Sequence, residues 1–237
     1  MSITSGTTRM VYEDARWFFL NVLILSVTLP LTILWIVLGL TFDMSEAIGS
    51  IAGPAYFFIP SFAIFGYKTL LPIGVGMGST RLQILKSFYG VGILSVAVVV
   101  FILNVLQFTL VTLSDWRLNF KGVLHPGEIF YVDYHFLSYL WLDMMTALFL
   151  FGMAFLLYSL FYRLGLVRLA IWMMAIVIPF MFLYYGGVLD PLIKSLTSFE
   201  WSGNVVAIIL GAFGAAGLAI TYPIMRNAPL KPRSAKS

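Results

Sequence analysis

FFLNVLILSVTLPLTILWIVLGL, residues 18–40, runs for 23 positions without a charged side chain. At 1.5 Å per residue such a helix covers the roughly 30 Å hydrocarbon core of a bilayer. Five further apolar runs follow, near 47–66, 88–113, 136–158, 169–187 and 204–225. None alternates with period two, so these are not barrel strands, and a lipid-exposed backbone must satisfy its own hydrogen bonds as a helix. The reading is an all-α integral membrane protein: a single transmembrane domain over residues 1–237, crossing six times. The first run is expected to be a permanent span, because it is too long for a signal-peptide core and carries no small-residue cleavage site.

Composition agrees. The 237 residues are 61% hydrophobic and 10% charged, against about 25% charged in a soluble domain. There is no cysteine, which excludes disulfides, thiolate zinc sites and cysteine nucleophiles.

Charge sets the topology. Arg9 and Arg16, then Lys68, Arg81 and Lys86, then Arg163 and Arg168, then Arg226, Lys231, Arg233 and Lys236 fall on one side of the six runs. Only Arg117, Lys121 and Lys194 fall on the other. Eleven against three places both termini in the cytoplasm by the positive-inside rule. Residues 1–17 read as a cytoplasmic amphipathic segment and 226–237 as a basic tail drawn to anionic lipid. Trp17, Trp116, Trp141, Trp172 and Trp201 sit near span ends, as interface anchors do; Trp35 does not.

Three places stand out inside this frame. The stretch Pro72–Phe88, PIGVGMGSTRLQILKSF, brings three glycines into Thr80-Arg81-Leu82-Gln83. Thr80 and Gln83 have capping-box spacing, so a short helix is expected to start there, at the membrane surface, and to run into span three. The glycines do not make a phosphate loop, because Gly78 is followed by Ser79 rather than Lys. Pro54 and Pro60 fall inside the expected second span and predict a kink. Asp143 lies about two turns into span four, where a carboxylate is costly. It is expected to snorkel outward, the rival being an inward polar contact on a substrate path. Gly211, Ala215 and Ala219, at four-residue spacing in span six, invite close helix approach within the chain. Leu189–Trp201 reads as a short amphipathic helix between spans five and six. The outer loop holds His125, Glu128, Asp133 and His135. They match no defensible metal motif, so a solvated loop is the default and a metal-dependent membrane enzyme the alternative.

Three short motifs resemble those of one family. Gly78-Ser79-Thr80-Arg81 between spans two and three, Tyr162-Arg163-Leu164-Gly165 after span four, and Arg226-Asn227-Ala228-Pro229 after span six are similar to segments of six-span permease subunits of bacterial ATP-binding-cassette transporters, of the type-2, export-like group. The resemblance implies a bacterial cytoplasmic membrane protein, N-in and C-in, that pairs with a second permease, identical or homologous. Two copies of a separate ATPase, carrying ATP and Mg, would dock beneath it, and this chain would bind no cofactor, metal or nucleic acid. Gly78, Ser79, Thr80, Arg81, Gln83 and Lys86 would form the coupling surface, with Tyr162, Arg163 and Gly165 as a second cytoplasmic loop. Asp143, Pro54 and Pro60 are candidates for the substrate path. The cargo would be a hydrophobic or amphipathic compound such as a peptide, antibiotic or lipid, with export the expected direction. An ATP-independent immunity protein that sequesters such a compound is the remaining alternative.

Overall fold

The computed structural model describes residues 3–42, 51–117, 127, 130–131, 134–198, 201–227 and 229. In chain order they form α1 (Ile3–Arg16), a π-helical segment (Trp17–Thr28), α2 (Leu29–Phe42), α3 (Gly53–Gly76), α4 (Arg81–Arg117), α5 (Phe136–Leu164), α6 (Leu166–Tyr185), α7 (Asp190–Ser198) and α8 (Gly203–Arg226). Six helical stretches are long and apolar enough to cross a membrane. The short helix expected between spans five and six is α7.

The second span begins and ends later than its hydropathy suggests. Gly53 opens α3 and Pro54 sits in its first turn, where the missing amide costs no helix bond. Pro54 therefore starts the helix instead of kinking it. Pro60 is internal and lacks the amide that would bond the carbonyl of Tyr56. Because α3 runs on to Gly76, Lys68 lies on a helix, and the loop shrinks to Met77–Thr80. Ser79 N–H donates to Gly74 O and Gly78 N–H to Val75 O, the paired bonds that close a helix when the next residue is left-handed. Gly78 supplies that conformation at φ +85°. The expected capping box then forms: Thr80 N–H donates to Gln83 Oε1 at 2.9 Å and Gln83 N–H to Thr80 Oγ1 at 3.2 Å. No separate surface helix lies in this loop; the capped segment is the first turn of α4 itself.

At the N-terminus the amphipathic segment is continuous with span one, since Arg16 keeps helical angles (φ −59°, ψ −48°). Its buried stripe reads Thr7, Val11, Ala15, Phe19 and Leu23, then steps by five to Thr28. That longer step is where i→i+5 bonding holds, as in Leu29 N–H to Ile24 O. The stripe ties to the turn: the hydroxyls of Thr7 and Ser79 lie 2.6 Å apart, and those of Thr8 and Ser87 3.1 Å.

The core between α1, α3, α4 and α5 is aromatic. Phe62 stacks on Phe88 at 5.6 Å between centroids, Phe88 stacks on Phe151 at 5.8 Å, and Tyr67 meets Phe155 edge-on at 5.0 Å. The most extensive contact joins α5 to α8. There Gly152 and Gly214 bring the backbones together: a Cβ on Gly152 would collide with the Gly214 carbonyl, and one on Gly214 with the carbonyl of Leu148. Close approach in span six is thus as expected, but its face is Ala207, Gly211, Gly214, Gly217 and Thr221, whereas Ala215 and Ala219 are exposed. The helix turns 100° per residue, so the four-residue ladder drifts off the seam while the mixed three- and four-residue ladder stays on it. In contrast, α6 buries no residue at all. It leaves α5 at Gly165, whose φ of +83° makes the turn.

Gly214→Leu should cost about 3 kcal/mol or more, because the obstacle is backbone and has no rotamer to yield. Ala215→Leu, one residue on, should change stability by less than about 0.5 kcal/mol. Thermal unfolding of the two variants in detergent reads the difference.

Candidate functional site

Among the described residues, two polar places bear on function, one towards each end of this apolar bundle. The first lies where α3, α4 and α5 meet. Asp143 stands seven residues into α5, about 10 Å along its axis, and is only 2% exposed. Tyr56 Oη donates to its Oδ1 at 2.6 Å, and Asn104 Nδ2 to its Oδ2 at 2.8 Å. Asn104 Nδ2 also donates to Val100 O at 3.0 Å. Two acceptors fix the amide orientation, so its oxygen points away from both. Among the described residues, that buried Oδ1 and the Tyr134 hydroxyl have no hydrogen-bond partner. Gln107, 3% exposed, follows Asn104 by one turn on α4. Burial pushes the Tyr134 hydroxyl up to about 12, and the neighbouring Tyr139 and Asp143 add to the shift. Tyr134 therefore stays a neutral phenol at any ordinary pH.

Asp143 does not reach outward to the interface. Interhelical bonds hold it inward, because two donors on neighbouring spans offset its desolvation where a solitary carboxylate would have to find water. Of the other residues expected on this path, Pro60 lies one turn beyond Tyr56 on α3, and Pro54 lies at the start of that helix. Tyr56, Asn104, Gln107 and Tyr134 were missed by the sequence reading. The signal for two of them is present: Asn104 and Gln107, three apart in FILNVLQFTL, put two amides on one face of an otherwise apolar helix.

The second place is the end of the bundle carrying the Met77–Thr80 turn. Gly78, Thr80 and Lys86 are exposed there. Ser79 is buried against Thr7 and offers nothing to solvent. Arg81 and Gln83 are partly buried; Gln83 closes the cap, and the Arg81 guanidinium acts electrostatically on the hydroxyls of Tyr67 and Tyr162. Tyr162 is itself buried, lies tilted against Tyr158 at 5.8 Å between ring centroids, and donates to Pro229 O at 2.8 Å. Arg163 Nη1 donates to Ile224 O at 3.3 Å, near the end of α8. The end of α5 and the chain leaving α8 therefore meet, with Arg81 at the start of α4 within electrostatic range. Exposed Lys68, Arg163, Arg168 and Arg226 surround them. Glu13 and Arg16 pair at 2.9 Å on the surface, a contact worth little.

Of the outer-loop residues considered for a metal, His125, Glu128 and Asp133 lie outside the described residues, and His135 is exposed at the start of α5. Among the described residues no three His, Cys, Asp or Glu side chains are grouped to hold a metal ion. Comparison with protein-family models, with curated proteins and with solved structures gives no match. The class the fold defines is an all-helical protein with six helices long and apolar enough to cross a membrane.

Removing the carboxylate tests the inward contact. Asp143→Ala should cost about 1–3 kcal/mol, because it strands Tyr56 and Asn104 as well. Tyr56→Phe should cost about 0.6 kcal/mol, the average for an interhelical bond in a membrane, and no more than about 1.7 kcal/mol. Thermal unfolding that left Asp143→Ala as stable as wild type would return the side chain to the interface.

Proposed function

We propose that this chain is the transmembrane permease subunit of an ATP-binding-cassette transporter. In this reading it couples ATP hydrolysis on a separate ATPase to the export of a hydrophobic or amphipathic compound. The observation that carries the reading is convergence. The three motifs that resemble the permease family are far apart in sequence, yet Tyr162 of the second donates to Pro229 O of the third, and Arg81 of the first is near enough to act electrostatically on Tyr162. A docking surface requires this: a capped, rigid helix start, an exposed turn, and cations around it.

Two further features fit. Span five, α6, buries none of its residues, as suits a helix that meets a second permease across a seam. The α4 and α5 helices are continuous from the docking end to the Asp143 cluster. A push on the turn is thereby delivered to a polar contact between three spans. Driving a two-state change there requires ligands that bind the two states unequally, and the nucleotide-loaded ATPase pair supplies that difference. The permease would sit in the bacterial cytoplasmic membrane with both ends inside, facing two ATPase copies.

Arg81→Glu, or deletion of Gly78–Arg81, should abolish co-purification with a co-encoded ATPase and with it ATP-coupled transport. Thr80→Ala, which removes only the cap and costs about 1 kcal/mol, should weaken both less. Unchanged co-purification and transport in the charge-reversed and deleted forms would overturn the docking role.

A further inference from the structure

We propose that the crevice between α2 and the far half of α4 is a binding site for one acyl chain of a membrane phospholipid. The crevice encloses about 490 Å³ and is walled by Thr32, Ile33 and Ile36 of α2 and by Phe101, Val105 and Thr109 of α4, with four more aliphatic residues. It exists because span one parts from the bundle. The π-helical segment packs on α3 and α4, but past Leu29, among the described residues, α2 packs closely only on the segment preceding it.

Its chemistry selects hydrocarbon. Two of the ten wall residues are polar, and both hydroxyls are already used: Thr32 Oγ1 donates to Thr28 O and Thr109 Oγ1 to Val105 O, each at 2.8 Å. A ligand finds no free donor there, and a water would find only the lone pairs of two hydroxyls among apolar walls, so a wet crevice is disfavoured. An empty one would forfeit dispersion contacts along both walls. The bilayer supplies the occupant, since both walls belong to membrane-crossing helices.

Its length selects the chain. The wall on α2 runs from Leu29 to Ile36 and that on α4 from Phe101 to Leu110, about 10 and 13 Å along the axes. One leaflet is about 15 Å of the 30 Å hydrocarbon core, so the crevice accepts a single tail from one leaflet. That leaflet is the one opposite the Met77–Thr80 turn, since both walls lie in the halves of their spans away from it. A tail held between two helices along its length is retained more firmly than one touching a single convex helix such as α6. The site needs no transport partner and stands apart from the permease reading.

The test is retention. The protein, purified from membranes, is exchanged into a steroid-based detergent whose fused rings do not enter the crevice, and native mass spectrometry counts bound phospholipid. Wild type should keep one phospholipid per chain. The double variant Ile33→Trp, Val105→Trp, which fills the crevice from both walls, should lower that occupancy by about tenfold. Ile176→Trp on the exposed face of α6 should leave it unchanged. Helical circular dichroism and a monodisperse elution check folding, and Val105→Phe alone provides a milder filling variant with the same expected direction. The assignment is overturned if wild type retains no phospholipid, if the filled variants retain as much as wild type, or if the retained molecule is an alkyl compound other than a phospholipid.

Discussion

A peptide group inside hydrocarbon has no water to bond. Each unsatisfied donor or acceptor there costs several kcal/mol, so a chain with this much apolar sequence is confined to helices along nearly its whole described length. The same medium removes the usual reason for helices to associate, because lipid tails are as apolar as leucine. What remains is contact: backbones brought close where glycine allows it, rings that interlock, and a few hydrogen bonds between spans. Each is present here. Gly152 against Gly214 joins α5 to α8, the Phe62–Phe88–Phe151 stack joins α3, α4 and α5, and Tyr56 with Asn104 on Asp143 joins the same three helices through polar atoms.

The parts of this structure that depend on local chemistry were legible in the sequence. Six spans follow from run length alone, and the Thr80–Gln83 cap follows from spacing. The parts that depend on which face of a helix turns inward were not. In a soluble helix the polar face marks the outside, but in α3, α4 and α5 both faces are apolar and periodicity is nearly silent. That is why Ala215 and Ala219 looked equivalent to Gly211, and why the partners of Asp143 went unseen. Hydropathy also misplaced the second span, because Lys68 reads as a loop residue although it projects from the last turns of α3. Pro54 reads as a kink unless the helix is known to begin at Gly53.

The two polar places are mechanically linked. Arg81 and Asn104 lie on one uninterrupted helix, and Asp143 and Tyr162 lie on another. In the proposed transporter the cytoplasmic end and the mid-span contact would therefore move as one body unless a bond between helices yields. The Tyr56–Asp143 hydrogen bond is the natural one to yield, since Pro60 has already freed the carbonyl of Tyr56 from the helix ladder.

The account rests on six crossings that leave the Met77–Thr80 turn and the end of α8 on one side of the membrane. The absence of native cysteine makes this directly measurable. Single Met77→Cys, Asn227→Cys and Val188→Cys variants, in sealed vesicles of known orientation, are treated with an impermeant maleimide. Met77→Cys and Asn227→Cys should react from the cytoplasmic side alone, and Val188→Cys from the other side alone. Reaction of Met77→Cys and Val188→Cys from the same side, or of Met77→Cys and Asn227→Cys from opposite sides, would contradict the topology and every reading built on it.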